Sequence, residues 1–346
     1  MENPLISVVV PVYGVEKYIA RFATSLFRQT YDKLQLIFVN DGTKDRSIDI
    51  LNELIDNEFP SWREKVVIVS KKNGGVAAAR MTGLELVTGD YFINLDSDDY
   101  LETTMFEEFA EAIRLSGSDM IYCDYVQHFS DGDRYFRWKT YQDTETVLYD
   151  LFRRRLKWCI WTKCFKTSLL KENKFYCPVA DLGDDMVISS QLVCLSGSFH
   201  HIDKCLYHYD FTNETSISHN ISTDSLFGLM DNYYLLGEIA AKEAQYGLLK
   251  KWTHSNFFTI GYHIMKRQLE VDVIDRFPAA RDYILSAPFR SKQSGGISLL
   301  RQLRIKAWFL KLENLRSAGA KRDLDAYPIH QPLFRKYNVL RLRIAQ

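Results

Sequence analysis

The sequence lacks an excess of charge of either sign, since its 346 residues include 44 Lys and Arg against 44 Asp and Glu. Without an overall positive field, nothing in the composition favours nucleic acid as a partner. The sequence also lacks long hydrophobic runs, because stretches such as "NPLISVVVPVYGV" are shorter than the roughly 18–20 apolar residues of a membrane-spanning helix. We therefore expect neither a spanning helix nor a secretory signal.

The cysteines show no spacing typical of a disulfide framework or a zinc site. There are six of them, at Cys123, Cys159, Cys164, Cys177, Cys194 and Cys205, and no two form a CxxC pair. In a chain of this length, scattered cysteines indicate reduced thiols and a cytoplasmic location. Also missing from the sequence are a P-loop lysine motif, a Ser/His/Asp nucleophile set, internal repeats and low-complexity tracts.

The residues that are present predict a globular α/β fold. Hydrophobic residues make up 46% of the chain and aromatic residues 14%, which is ample for a core. Runs rich in β-branched and aromatic residues predict buried strands at 6–13, 34–41, 66–71 and 90–96. Stretches with helical spacing separate these strands, at 16–29, 45–58 and 76–87. The alternation predicts a mostly parallel central sheet flanked by helices, as in nucleotide-binding folds.

Polar side chains follow three of these predicted strands. Tyr13 ends the first strand, Asp41 ends the second, and the cluster of Asp96, Asp98 and Asp99 follows the fourth. Ligands of parallel α/β sheets bind beyond the carboxyl ends of the strands, so we expect these groups to line one crevice. The Asp-x-Asp spacing offers hard oxygen ligands, which suit Mg²⁺ or Mn²⁺ shared with a diphosphate.

The rest of the chain is predicted in two parts. Mixed strands and helices continue the first domain from 103 to about 210, and a polar, turn-rich stretch follows. We place the domain boundary near 220. This gives a first domain at 1–220 and a mainly helical C-terminal region at 221–346.

The last segment of the chain, 290–346, is strongly basic. It contains 13 Lys and Arg against three Asp and Glu, a local excess of +10 in a chain that is neutral overall. In "SLLRQLRIKAWFLKLENL", four apolar residues share one helical face, namely Leu299, Leu303, Ala307 and Leu310. This pattern is typical of an amphipathic helix on a membrane surface, and equally of a solvated helix packed on the first domain.

Ordered motifs in the first part of the chain resemble those of a known enzyme family. The segments "ISVVVPVYGVEKYIARFATSLFRQTY", "LIFVNDGTKDRS" and "KKNGGVAAARMTGLELVTGDYFINLDSDD" resemble the signature of the family 2 glycosyltransferases, which are inverting enzymes with the GT-A fold. The resemblance covers roughly residues 5–210. It implies that the domain at 1–220 is a GT-A catalytic domain.

The resemblance implies a donor-binding set made of Pro11, Val12, Tyr13, Asp41, Arg80, Asp96 and Asp98. In this family the first three wall the nucleotide base, with Tyr13 placed to stack on uracil. Asp41 would bond the imide edge of the base, and Arg80 would offer its guanidinium to the donor. Asp96 would contact the ribose and diphosphate, and Asp98 would bind a divalent metal, Mn²⁺ or Mg²⁺.

The resemblance also implies a general base. Family members carry an acidic pair, commonly Glu-Asp, at the place where this chain reads "VADLGDDMVISSQLV". Asp185 matches the base, which would take the proton of the acceptor hydroxyl. Asp184 replaces the usual Glu with a side chain that is shorter by one methylene group.

Some of these acids have a structural interpretation as well. Asp99 and Glu102 fit a capping box that opens the next helix, and either Asp184 or Asp185 could cap the helix that runs from Met186.

Four other residues are weaker candidates for the site. Trp161 and Lys163 match a family segment that borders the acceptor, and His208 and His219 lie in a polar stretch that could reach the metal or the diphosphate.

The sequence therefore predicts an inverting glycosyltransferase. It would move a sugar from a nucleotide-diphosphate donor, a UDP-sugar, to a hydroxyl of a glycan or lipid-linked acceptor in surface polysaccharide biosynthesis. Two alternatives stay open at this point. One is a catalytically silent nucleotide-sugar-binding module. The other is a sugar-nucleotide pyrophosphorylase, although the chain has "PVYGVEKY" where such enzymes have a Gly-rich, Arg-containing loop.

Overall fold

The computed structural model describes residues 3–213, 222–252, 257–259, 261–262, 284–286 and 302–310. Its strands are β1 (Ile6–Val12), β2 (Leu34–Asn40), β3 (Val66–Ser70), β4 (Tyr91–Asn94), β5 (Tyr100–Leu101), β6 (Met120–Phe129), β7 (Gly132–Phe136), β8 (Lys163–Lys166) and β9 (Phe199–Asp210). Its α-helices are α1 (Ile19–Phe27), α2 (Ser47–Asn57), α3 (Val76–Leu84), α4 (Met105–Ser116), α5 (Thr144–Phe152), α6 (Ser168–Lys171), α7 (Asp184–Leu195) and α8 (Thr223–Lys242). Short 3₁₀ helices lie at Pro60–Lys65 and Ala244–Leu249.

The nine strands form one mixed sheet in the order β3-β2-β1-β4-β8-β6-β9-β5, with β7 paired to β6 at the side. The four N-terminal strands β3, β2, β1 and β4 are mutually parallel, as the alternating pattern predicts. Antiparallel β8 joins β4 to β6, and the long strand β9 runs parallel to β6. The predicted α/β fold with a mostly parallel sheet is therefore confirmed.

Two hydrophobic cores cover the two faces of the sheet. Along β1 the side chains alternate, so that Val8 and Val10 join the core beneath α1, α2 and α4, whereas Val9 joins the core beneath α3, α5, α7 and α8. Burial on both faces explains why the N-terminal strands read as continuous apolar runs.

The C-terminal region begins with α8, which packs on the same core as α7 through Leu235, Leu236 and Ile239. The predicted boundary near 220 lies within 214–221, outside the described residues. Of the basic tail at 290–346, the structure describes only 302–310, which is helical.

This short helix at 302–310 has two different faces. Ile305 and Phe309 are buried, whereas Leu303 and Leu310 are 41% and 50% exposed. Within the described part of the chain, none of the helices combines the length and the apolar character needed to cross a bilayer.

Candidate active site

The carboxyl ends of β1, β2 and β4 meet at one edge of the sheet. The amide of Asp41 donates to the carbonyl of Val12 at 3.1 Å, and the hydroxyl of Ser97 donates to the carbonyl of Pro11 at 2.7 Å. Pro11 and Val12 are buried in β1, whereas the next residue, Tyr13, is 53% exposed. Tyr13 is therefore exposed at the position where the resemblance predicts stacking on a nucleotide base.

Asp41 is buried beneath the turn that leads into α3. Its carboxylate accepts hydrogen bonds from Lys71 Nζ at 2.6 Å, from the Gly74 amide at 3.0 Å and from the Gly75 amide at 2.8 Å. Sequence reasoning missed this lysine, because nothing in the spacing of 30 residues indicates the pairing. Asp41 thus fixes the start of α3, and its contact with a nucleotide base stays a prediction.

Arg80 of α3 joins two carboxylates from distant parts of the chain. Its Nη2 lies 2.6 Å from Asp96 Oδ1, in the predicted metal loop, and its Nη1 bonds Asp184 Oδ2, at the start of α7. Burial opposes the charge of Arg80, but the two carboxylates outweigh that effect and raise its pKa. The guanidinium that the sequence assigns to the donor is therefore already bound to the two acidic segments of the site.

Asp98 lies beside this bridge. Its Oδ2 accepts a hydrogen bond from the Asn213 side chain at 2.8 Å, and its carbonyl accepts one from Arg21 at 2.7 Å. Burial, followed by the charge of Asp96, raises the pKa of Asp98. A carboxylate in this environment is stabilised by any cation that binds it.

Asp99 has a structural role that differs from the predicted capping box. Its carboxylate accepts hydrogen bonds from the Tyr207 hydroxyl at 2.5 Å and from the Asp210 amide at 2.9 Å, so it ties the loop to β9. Helix α4 begins later, at Met105, and the preceding Thr104 makes no side-chain cap. The capping-box interpretation of Asp99 is therefore wrong.

The carboxylates of this loop fit a metal ion that takes most of its ligands from substrate phosphates and water. Within the ranges that the structure describes, no three His, Cys, Asp or Glu side chains are grouped closely enough to hold a metal ion. Mg²⁺ commonly binds one or two protein carboxylates, with substrate phosphates and water completing its octahedron. Asp98, with Asp96 two residues away, can supply oxygen ligands of that kind.

The acidic pair at the start of α7 is asymmetric, because Asp184 is buried whereas Asp185 is half-buried. Asp184 bonds Arg80 through one oxygen and accepts the Asp185 amide at 2.8 Å through the other. Asp185 Oδ1 accepts the Met186 amide at 2.7 Å. Asp184 is therefore occupied by the bridge. Asp185 has no side-chain partner in the hydrogen bonds of the described residues.

Burial raises the pKa of both acids of this pair. For Asp184 it does so to about 6, although the Arg80 charge acts in the opposite direction. For Asp185 burial again dominates, while Arg80, the Met186 amide and the Lys163 ammonium each lower the pKa. A raised pKa is what a carboxylate needs to accept a proton near neutral pH.

The weaker sequence candidates are mostly internal. Trp161 is buried and stacks on Tyr207 with a centroid distance of 4.4 Å. Lys163 is fully buried, and its ammonium group donates to the carbonyls of Lys157 and Cys159 at 2.9 and 2.5 Å. Both side chains are therefore buried, and the Lys163 ammonium is already bound by backbone carbonyls.

His208 of β9 has both ring nitrogens engaged by side chains from neighbouring segments. They bond Glu102 at 2.8 Å and His128 at 3.0 Å, while its ring stacks on Tyr100 with a centroid distance of 4.4 Å. His208 therefore has no free nitrogen for the metal in this arrangement. His219 lies outside the described residues.

The sequence of the chain matches a known protein family and several of its members. Residues 7–177 match the family described as glycosyl transferase family 2. EpsH of Bacillus subtilis is 30% identical over 221 residues, which are 60% of this chain and 61% of EpsH. The chondroitin synthase of Pasteurella multocida is 38% identical over 104 residues, which are 30% of this chain and 10% of the synthase. The chain thus spans less than two thirds of these relatives.

Among solved structures, S. aureus TarS 1-349 in complex with UDP-GlcNAc superimposes with a TM-score of 0.64. The match covers 93% of this chain and 94% of that chain, at 18% sequence identity. At this identity the likeness establishes the fold alone. With the family match and the ordered strand-end motifs, it follows that the chain belongs to glycosyltransferase family 2 and has a GT-A fold.

Proposed function

We propose that this protein is an inverting glycosyltransferase that moves a sugar from a UDP-sugar to an acceptor hydroxyl. The observation that carries the proposal is the Arg80 bridge. One buried guanidinium bonds Asp96 of the metal loop and Asp184, the neighbour of the general-base candidate Asp185. This bridge supports a reaction in which the donor side and the base side meet at a single site.

On the donor side, the exposed ring of Tyr13 is available for stacking on the base. Asp98 would hold the divalent metal, and Asp96 would contact the ribose and diphosphate. When bound, such a metal neutralises the diphosphate and makes it a better leaving group. The hard oxygen donors of this loop support that role.

On the acceptor side, Asp185 would accept the proton of the attacking hydroxyl. The bond from the acceptor oxygen to the anomeric carbon then forms on the face opposite the diphosphate, while the bond to the diphosphate oxygen breaks. The configuration of the anomeric carbon is inverted, so an α-linked donor gives a β-linked product. Arg80 would keep Asp184 ionised and the start of α7 in place during this step.

The proposed substrates follow from the relatives. TarS binds UDP-GlcNAc in the complex with the similar fold, which supports UDP as the nucleotide. Chondroitin synthase is a relative whose name denotes a polysaccharide product, which supports a glycan or lipid-linked acceptor in surface polysaccharide biosynthesis.

We expect UDP with Mn²⁺ to give the largest rise in Tm in a panel of UDP, GDP, CDP and dTDP measured with and without the metal. A ligand at 100 times its Kd stabilises the native state by about 2.7 kcal/mol. For a domain of about 200 residues this raises Tm by about 5–10 °C. Asp98→Ala should abolish the metal-dependent part of the rise.

Asp203→Ala is the matched control, because Asp203 is an exposed aspartate of β9. It should keep the full response to UDP and Mn²⁺. A larger shift with GDP would overturn the UDP assignment. A shift with UDP but no sugar transfer from any donor would favour the silent binding module.

We also propose that the basic tail holds the enzyme at the inner face of the membrane. The tail carries an excess of +10 charges, and its described helix exposes Leu303, Ala307 and Leu310. Apolar side chains beside basic ones suit the surface of an anionic bilayer.

A double variant, Leu303→Ser with Leu310→Ser, should bind anionic vesicles at least about tenfold more weakly, since each buried leucine contributes about 1.5–3 kcal/mol. Co-sedimentation with phosphatidylserine vesicles measures this. Leu115→Ser is the control, because Leu115 of α4 is 73% exposed but distant from the tail in sequence. Equal binding of the double variant and the wild type would show that these leucines do not contact lipid.

A further inference from the structure

Asn232 of α8 is fully buried and bonds three backbone groups of one loop. Its side-chain oxygen accepts the Val179 amide at 3.0 Å, and its side-chain nitrogen donates to the carbonyls of Ala180 and Leu182 at 2.9 and 3.0 Å. This loop, residues 179–183, leads directly into Asp184 and Asp185. We propose that Asn232 is a positioning residue that holds the general-base segment of the enzyme, an inference that rests on the proposed role of Asp185.

The opposite side of the same loop is bound to α3. Asp181 Oδ1 accepts the amide of Ala77 at 3.0 Å, in the first turn of α3, and Asp184 bonds Arg80 about one turn further along that helix. The loop is therefore fixed between α3 of the nucleotide-binding half and α8 of the C-terminal region. Each helix supplies hydrogen bonds that the other cannot replace.

Two glycines allow α8 and this loop to pack closely against each other. Gly183 has a φ of +84°, which favours glycine, and a Cβ placed there would lie 2.6 Å from Leu229 Cδ1. A Cβ placed on Gly228 of α8 would lie 2.6 Å from Ala180 Cβ. The glycines thus allow the backbones of α8 and the loop to approach closely enough for Asn232 to reach three groups.

The position of Asp185 depends on these contacts. Without the Asn232 amide, the Val179 N–H and the two carbonyls lose their shared partner at a part-buried site, and the three hydrogen bonds that tie the loop to α8 are gone. A shift of about 1 Å in a reacting group can cost about 10²-fold in rate. Donor contacts lie on other segments, at Tyr13 and in the loop of Asp98, so they should be little affected.

Asn232→Ala is expected to lower kcat for sugar transfer about 10²-fold and to leave KM for the donor within about threefold. The matched control is Ile239→Ala, which removes buried side-chain volume from the same helix about two turns beyond Asn232. If Asn232→Ala loses no more kcat than Ile239→Ala at equal folded fraction, Asn232 only stabilises the fold and the proposal is wrong.

Hydrogen exchange separates this proposal from the proposed function. In the wild-type protein we expect the Val179 amide to exchange at least about 100-fold more slowly than in an unstructured peptide, because it donates to a buried acceptor. Exchange at the unstructured rate would overturn the positioning role even if Asn232→Ala does not fold. If the wild type transfers no sugar, the enzymatic function fails, whereas slow exchange of this amide would still support the contact.

Discussion

Asp185→Asn is expected to lower kcat about 10³-fold, within the range that a positioned general base contributes. Asparagine keeps the size of the side chain and its contact with the Met186 amide, but it cannot take the proton of the acceptor hydroxyl. Binding of UDP with Mn²⁺ should be unchanged, because among the described residues the hydrogen bonds of the Asp185 side chain do not reach the donor segments. Steady-state kinetics and the Tm shift with nucleotide measure the two effects separately.

The pH profile provides a second readout of the same variant. In the wild type, activity should rise with pH through a midpoint above 3.8, the ordinary value for aspartate, because burial raises the pKa of Asp185. Asp184 titrates beside it, so the midpoint belongs to the pair. The activity of Asp185→Asn should not show this rise with pH. If the variant keeps more than a tenth of the wild-type kcat and its activity still rises with pH in the same way, the general base is another residue.

The strands and helices around the site could be predicted from the sequence because local patterns determine them. Apolar runs at 6–13, 34–41, 66–71 and 90–96 predicted β1 to β4 within about two residues. Their polar ends converge because parallel strands place their carboxyl ends at one edge of the sheet. The short strand β5 was missed, since two residues carry no detectable periodicity.

The partners within the site could not be predicted in the same way. Arg80 and Asp184 are separated by 104 residues, and no local rule connects an arginine in the middle of one helix with an acid at the start of another. Asp99 satisfied a local capping pattern but bonds Tyr207 across the sheet instead. In both cases the pairing of buried charge and polar groups in the folded chain outweighs the local preference.

The division of the chain near 220 remains a prediction, but it would separate residues that touch. Asn232 lies beyond the predicted boundary, and its three partners lie before it. A sequence pattern assigns helices to regions by composition, whereas contact between regions depends on their packing. The C-terminal region therefore contributes to the candidate site through α8.

Arg80→Met should lower the free energy of unfolding by about 3–5 kcal/mol, the usual cost of removing one partner from a buried ion pair. Methionine fills most of the volume but leaves Asp96 and the buried Asp184 without their cation. Urea unfolding measures the loss. Arg46→Met is the control, because the pair of Arg46 with Glu53 is exposed, and such pairs contribute about 0–1 kcal/mol.

The loss caused by Arg80→Met should grow with pH. Burial already raises the pKa of Asp184 to about 6, and the Arg80 charge acts against that rise, so its removal raises the pKa further. An acid whose pKa is higher in the folded state than in the unfolded chain holds its proton when folded, and stability falls as pH rises through the folded value. The difference between variant and wild type should therefore be larger at pH 8 than at pH 5. Adding Asp184→Asn should recover part of the loss at pH 8, because it removes the unpaired charge. A loss that is independent of pH and unaffected by the second substitution would mean that Arg80 stabilises the site through packing rather than through its charge.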